Sequence, residues 1–329
     1  MEKLRILFCG FRHGHINGLY KKVASSDIAE IAGCIEANAD ARAAAESGLG
    51  ASFSDRSYEE WLKNGEFDAV AIGGAYGERG AHVIAALRAG KHIIADKPLC
   101  TSLEELSEIR RLSEEKNLKI GCMLDLRYIP QTLRAKEILH SGRLGEIKNL
   151  SFTGQHALNY GTRPSWYFEE GMHGGTVNDL SIHGVDIVRM LTRSEFCGVD
   201  GVRLWNSFAK EEKQFKDSAV FMARLESGAE VLADVSYSAP SQVFSMPTYW
   251  DFKFWCERGL LTYNFIENAV VIYEEGKPEP QRIEGIDSDN DYLSELAREI
   301  EDDTRCVTEN VLRSTETALL IQREADKGE

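Results

Sequence analysis

A histidine with an aspartate about one helical turn to either side is a ready acid–base group, and residues 174–186 carry one. The run Gly174-Gly175-Thr176-Val177-Asn178-Asp179-Leu180-Ser181-Ile182-His183-Gly184-Val185-Asp186 reads as a glycine-rich loop feeding a helix. On a helix, Asp179 and His183 stand four apart and His183 and Asp186 three apart, so all three share a face. Carboxylates so placed hold the imidazole tautomer and steady its cation, which lets His183 take or give a proton. The same residues also fit a plainer arrangement, in which Asp179 complements the helix dipole from the first turn and His183 is a satisfied core histidine. A second charged group stands at Asp96-Lys97-Pro98, directly after the apolar run 92–95. Ligands of open α/β sheets bind outside the carboxyl ends of the strands, and Pro98 disfavours the helical region for Lys97. Lys97 is therefore the ammonium such a fold would aim; the alternative is a surface lysine after an edge strand, where lysines are commonly found.

These groups need elements to hold them. Residues 4–9 form an apolar strand ending at Gly10, followed by the turn Gly10-Phe11-Arg12-His13-Gly14, helix-like 19–24, and a strand over 28–35 that ends on Glu36. Strand, glycine turn, helix, strand, acid is the outline of a mononucleotide-binding unit. A pyrophosphate would lie on the helix N-terminus, where free N–H groups favour anions. Glu36 would accept from both hydroxyls of an adenosine ribose and repel a 2′-phosphate, which favours NAD over NADP. The usual G-x-G-x-x-G is altered: positions 10, 12 and 15 are Gly, Arg and His. Arg12 either contacts a phosphate or is a solvated loop arginine. His13 and His15 are metal-ligand types, but no carboxylate or cysteine stands beside them in the sequence, so a loop role and no metal are expected.

The pattern continues with helix-like 40–47, a short strand near 51–53, helix 58–63, strand 67–73, the turn Gly73-Gly74-Ala75, helix 79–89, strand 92–95, helix 103–116 and a sixth strand over 119–124. Alternating strands and helices predict a doubly wound parallel sheet of Rossmann type, an α/β domain over 1–125. From Arg127-Tyr128-Ile129-Pro130 a helix runs to Ser141-Gly142, and the texture then changes. Strands are expected at 147–157, 202–208, 218–225, 230–237, 249–256, 260–266 and 269–274, with helices at 291–301 and 307–325. Short connections imply antiparallel pairing, so 126–329 is expected to be an α+β domain with an open, mainly antiparallel sheet. Such an open sheet needs covering, which predicts a homodimer or homotetramer packed through strands after 147.

Among 329 residues, Asp and Glu number 53 against 38 Lys and Arg, a formal charge of −15 that disfavours nucleic acid and anionic membrane as partners. No apolar run is long enough to span a bilayer, and the first apolar run leads straight into Gly10, unlike a signal peptide. Seven cysteines lack CxxC or zinc-like spacing; reduced thiols and a cytoplasmic location are expected.

Several motifs in register resemble the glucose–fructose oxidoreductase / inositol dehydrogenase / MocA (Gfo/Idh/MocA) family. They are the Gly10 turn, Glu36, Ala86-Leu87-Arg88-Ala89-Gly90-Lys91-His92 before Asp96-Lys97-Pro98, Arg127-Tyr128-x-Pro130, Gly142-x-x-Gly145, and Gly174-Gly175-x-x-x-Asp179-x-x-x-His183-x-x-Asp186. The resemblance implies bound NAD, or less readily NADP, along Gly10, Phe11, Arg12, His13, Gly14, Glu36, Gly74, Ala75, Asp96 and Lys97. It implies hydride transfer at a carbinol carbon of a sugar, inositol or related polyol. In that pattern Lys97 hydrogen-bonds the reacting hydroxyl, His183 is the proton donor or acceptor, and Asp179 is its neighbouring carboxylate. Lys97 and His183 are expected to face one cavity. Arg127, His173 and Asn178 are substrate-contact candidates by neighbourhood; Trp166 either walls that cavity or packs in the core. Net glycoside cleavage through a transient oxidation, or a non-catalytic dinucleotide or sugar sensor, are the alternatives. Four positions depart from the family pattern: Asp96 replaces a glutamate, Arg12 a glycine, Ser181 a common glycine, and Arg79 a histidine in a loop that lacks Thr-Pro-Asn.

Overall fold

A computed structural model of the chain describes residues 2–243 and 245–328. In chain order its elements are β1 (Leu4–Cys9), α1 (Ile16–Ala24), β2 (Ala29–Ile35), α2 (Ala39–Leu49), α3 (Tyr58–Asn64), β3 (Ala69–Ile72), α4 (Tyr76–Arg88), β4 (His92–Ala95), α5 (Leu103–Glu115) and β5 (Ile120–Cys122). There follow α6 (Pro130–His140), β6 (Ile147–Ala157), α7 (Ile182–Thr192), β7 (Phe196–Trp205), β8 (Ser218–Leu225), β9 (Glu230–Ala239), β10 (Asp251–Cys256), β11 (Gly259–Asn264), β12 (Ala269–Glu274), β13 (Gln281–Glu284), α8 (Tyr292–Glu301) and α9 (Cys306–Asp326). Among the described residues no helix is long and apolar enough to cross a membrane. The chain divides into two compact units, one of residues 1–123, 164–174 and 291–316, the other of 124–163, 175–290 and 317–329.

The first unit is built on a parallel sheet in the order β2-β1-β3-β4-β5. Its strands are short and apolar, and β3 is buried at every position, as expected of strands covered on both faces. The strand expected near 51–53 does not form, so the sheet has five strands rather than six and Lys97 follows the fourth. The segment makes one bond to β2, Ser54 N–H to the Cys34 carbonyl at 2.9 Å, and forms no ladder. The strand order reverses between β1 and β3, the switch point at which such sheets bind ligands. Gly10 and Gly73-Gly74 end these two strands. Gly10 has φ +86°, and a Cβ there would lie 2.5 Å from the Gly74 nitrogen, so only glycine allows the two turns to close on each other.

The second unit holds an eight-stranded sheet in the order β13-β12-β11-β10-β6-β9-β8-β7. All neighbours are antiparallel except β6 and β9. The sheet is thus mainly antiparallel, as expected, and the one parallel pair has its own cause: α7, β7 and β8 lie between the two strands in sequence and supply the crossover a parallel pair requires. Two corrections concern edges. β7 begins at Phe196, earlier than the expected 202, and β13 pairs with β12 where no strand was expected. One face packs against α6 and α7, and burial alternates cleanly along β8 and β9.

Candidate functional site

At the end of β1, the Glu36 carboxylate fastens the glycine turn. Its Oε2 accepts from the Phe11 N–H at 2.5 Å and its Oε1 from the Asn38 N–H at 2.7 Å. The carboxylate is thus fixed in one orientation at the rim of a cavity of about 400 Å³ that Gly10, Arg12, Ser54, Tyr58, Gly74 and His82 help to line. Arg12 reaches across to Glu78 at 2.9 Å.

Lys97 is 3 % exposed, at the carboxyl end of β4. Its peptide bond to Pro98 is cis, and its Nζ lies 5.8 Å from the centre of the Tyr76 ring. Arg79, fully buried, grips the same segment: Nε donates to the Gly74 carbonyl at 2.9 Å, Nη1 to the carbonyls of Asp96, Lys97 and Pro98 at 3.0, 2.5 and 3.2 Å, and Nη2 to Asp96 Oδ2 at 2.9 Å. No feature of its type or place in the sequence marked this residue; it stood out only as a departure from a family pattern.

The turn histidines are placed differently from their expectation. The sequence shows no acid beside them, but the fold brings Asp96 there. His13 Nδ1 bonds Asp96 Oδ2, and His15 Nδ1 lies 3.4 Å from Asp96 Oδ1. Burial pushes the His13 imidazole down to about 4 against the pull of Asp96. Burial alone would raise Asp96, but the His13 ring and the Arg79 guanidinium outweigh it and hold the carboxyl well below its usual range. An ionised Asp96 can only accept, so the single proton of neutral His13 sits on Nδ1. His13 Nε2 then accepts from the Tyr76 hydroxyl at 3.0 Å, and Tyr76 pairs with the Tyr167 hydroxyl at 2.9 Å. Trp166, 2 % exposed, stacks edge-on against Tyr76 at 4.8 Å, and His173 lies 5.8 Å from the same ring. Trp166 and His173 thus join one buried aromatic group with His13 in the first unit.

In the second unit, residues Val177–Ser181 form a π-turn before α7 begins at Ile182. The wider turn alters the four-residue relation between Asp179 and His183 that a continuous α-helix implies; His183 and Asp186 remain one turn apart within α7. The Tyr237 hydroxyl donates to Asp179 Oδ2. The His183 ring packs 5.6 Å from Trp250. Arg127 Nε donates to Asp186 Oδ2 at 2.5 Å, an ion pair joining the short turn of residues Asp125–Tyr128 before α6 to α7. Asn178 and Asp179 are both buried. Gln322, which sequence reasoning did not single out, accepts from the Val177 N–H at 2.9 Å and so caps the segment. Lys97, Asp96, Trp166 and His173 therefore belong to the first unit, and Arg127, Asn178, Asp179 and His183 to the second.

Residues 4–123 match the model of the oxidoreductase family with NAD-binding Rossmann fold, and residues 132–262 match that of the GFO/IDH/MocA C-terminal domain. The levoglucosan dehydrogenase of Pseudarthrobacter phenanthrenivorans is 34% identical over 124 residues, 36% of this chain and 31% of the relative. The scyllo-inositol 2-dehydrogenase (NAD(+)) of Bacillus subtilis is 30% identical over 184 residues, 55% of this chain and 52% of the relative. The chain thus spans about a third to a half of the length of these relatives. The structure of myo-inositol 2-dehydrogenase from Lactobacillus plantarum superimposes with a TM-score of 0.78 at 16% identity, covering 100% of this chain and 98% of that one, which establishes the shared fold.

Proposed function

The chain belongs to the Gfo/Idh/MocA family of NAD-binding oxidoreductases, and on that premise we propose that it transfers hydride between NAD and a carbinol carbon of a sugar, inositol or related polyol. The observation that carries this reading is an ammonium almost wholly withdrawn from water at the end of β4, Lys97. Charge so buried is retained where it steadies charge that develops during a reaction. The nucleotide supplies the hydride acceptor when bound.

This chain's own residues do the rest. Lys97 hydrogen-bonds the reacting hydroxyl and stabilises the alkoxide as its proton leaves. His183 takes that proton, or returns it in reduction, with Asp179 fixing the imidazole. Glu36, already held by two N–H groups, presents a fixed acceptor to the ribose hydroxyls and repels a 2′-phosphate, which favours NAD. Phe11, Arg12, His13, Gly14, Gly74, Ala75 and Asp96 complete the cofactor contacts, and Arg127, Trp166, His173 and Asn178 contact substrate. Free thiols at all seven cysteines fit a reducing, cytoplasmic location, and the open face of the eight-stranded sheet supports a homodimer or homotetramer.

Purified protein with NAD and a panel of inositols, aldoses and anhydrosugars should develop absorbance at the reduced-nicotinamide band. Lys97→Met and His183→Ala should each lower kcat by about 10²–10⁴-fold while leaving the circular dichroism spectrum unchanged. A folded Lys97→Met enzyme that keeps full activity overturns the assignment.

A further inference from the structure

We propose that His13, His15 and Asp96 form a binding site for a divalent first-row transition-metal ion of the zinc and cobalt type. The two imidazoles come from the turn after β1 and the carboxylate from the end of β4. One ligand atom of each lies within 4.8 Å of the other two. Bonds of about 2.0–2.2 Å to such an ion set its ligand atoms roughly 3–3.5 Å apart, and His15 Nδ1 already stands 3.4 Å from Asp96 Oδ1. Two nitrogens and one carboxylate oxygen suit ions of this class and leave coordination positions open for water or a substrate oxygen.

A second observation points the same way. Asp96 is fully buried, yet among the described residues its Oδ1 has no well-formed hydrogen bond, its nearest polar neighbour in the turn being His15 Nδ1 at 3.4 Å. Buried carboxylate oxygens are almost always satisfied, and this one faces the exposed side of the turn through His15, whose side chain is 46 % exposed. Oδ2 is held by Arg79 and His13, so the carboxylate is anchored at one oxygen and presents the other. The outer contacts are those a metal-bound histidine needs. His13 turns its second nitrogen to the Tyr76 hydroxyl at 3.0 Å, an arrangement that fixes the tautomer of a ligating ring. When Nδ1 takes the metal, its proton is carried instead on Nε2, which donates to Tyr76; the ring stays neutral and no net proton is released. Tyr76 also lies under the Lys97 ammonium, so an ion here would sit one aromatic ring away from that group. The neighbouring Arg79 charge weakens the site without occupying Oδ1.

The test is direct metal binding by the whole protein. Titration with Co²⁺ should give visible d–d bands that saturate at one equivalent per chain, and Zn²⁺ should displace them. His15→Ala removes a half-exposed side chain and leaves the buried His13–Asp96–Arg79 contacts in place, so it should fold; its Co²⁺ affinity should fall by at least about tenfold, and that of Tyr76→Phe by about 10–100-fold. Circular dichroism of each variant checks the fold. The proposal is overturned if the wild-type protein shows no saturable Co²⁺ or Zn²⁺ binding up to millimolar metal. It is equally overturned if binding survives His15→Ala unchanged, or if the bands carry the near-ultraviolet charge transfer of a thiolate, which would place the ion on a cysteine.

Discussion

Both terminal nitrogens of the Arg79 guanidinium serve one short stretch of chain, the segment that carries Asp96 and Lys97, while Nε ties it to the turn after β3 at Gly74. A planar fork can reach several carbonyls and a carboxylate at once; an ammonium on a flexible stem cannot. Arg79→Met would leave the buried Asp96 charge without its guanidinium partner, and it should lower stability by roughly 3–5 kcal/mol. Arg79→Lys keeps the charge but not the geometry, so it should retain more stability and still lose kcat with little change in KM. Chemical denaturation and steady-state kinetics check both, and a Met variant with the wild-type midpoint removes Arg79 from the account. This residue also shows where the sequence stops being readable. Asp96-Lys97-Pro98 was legible because an apolar run ends on it, and local order tells where a buried strand ends. What Arg79 touches was not, because its carbonyl partners lie in the turns after β3 and β4 while it stands on α4, and nothing in a lone arginine names them. His13 and His15 failed the same way: their carboxylate lies 83 residues beyond His13, and only the sheet order brings it back.

At the scale of elements, the segment before α7 depends on an exchange between Gly175 and Gln322. Gly175 has φ +96°, and a Cβ there would come within 2.1 Å of the Gln322 side chain. That side chain is 6 % exposed and caps the Val177 N–H. Gly175→Ala therefore strains the backbone and displaces the cap together, at a cost of about 1–3 kcal/mol from the backbone alone. Gln322→Ala leaves a buried N–H without its acceptor, about 1–3 kcal/mol. Because the shorter side chain also frees space for the new Cβ, the double variant should cost less than the sum of the single ones. Strict additivity in denaturation midpoints would show that the two residues act independently. The glycine pair and the helix after it could be read from sequence, since Gly-Gly before an apolar-periodic run signals a loop and a helix start. The π-turn could not, because the groups that meet it, Gln322 and Tyr237, come from distant elements. The sheet was legible in the same partial way: period-two alternation in β8 and β9 is local, whereas the parallel pairing of β6 with β9 follows from a crossover that alternation does not encode.

For the whole molecule, the question is what covers the outward face of the eight-stranded sheet. Met222 and Leu232 pair across β8 and β9, 49 % and 53 % exposed, and Val220, Trp255 and Tyr273 are also large and exposed. A shallow groove of about 460 Å³ runs beside them over β6, β7, β8 and β9. An exposed apolar patch of this kind marks an association surface, and a second copy of the same sheet offers a matching one, since a two-fold interface sets each patch against itself. Charge opposes the pairing: each chain carries −15, so two copies repel at low ionic strength. Near physiological salt the screening length falls to about 8 Å, and burial of about 800 Å² per partner then suffices for a stable contact. The protein should therefore be a dimer or tetramer by light scattering at micromolar concentration in moderate salt, with more monomer as salt is withdrawn. Met222→Glu with Leu232→Glu should yield monomers of unchanged circular dichroism, because both side chains point away from the face that packs on α6 and α7. A wild-type chain that scatters as a monomer at every salt concentration would mean that this face is covered by something other than its own copy.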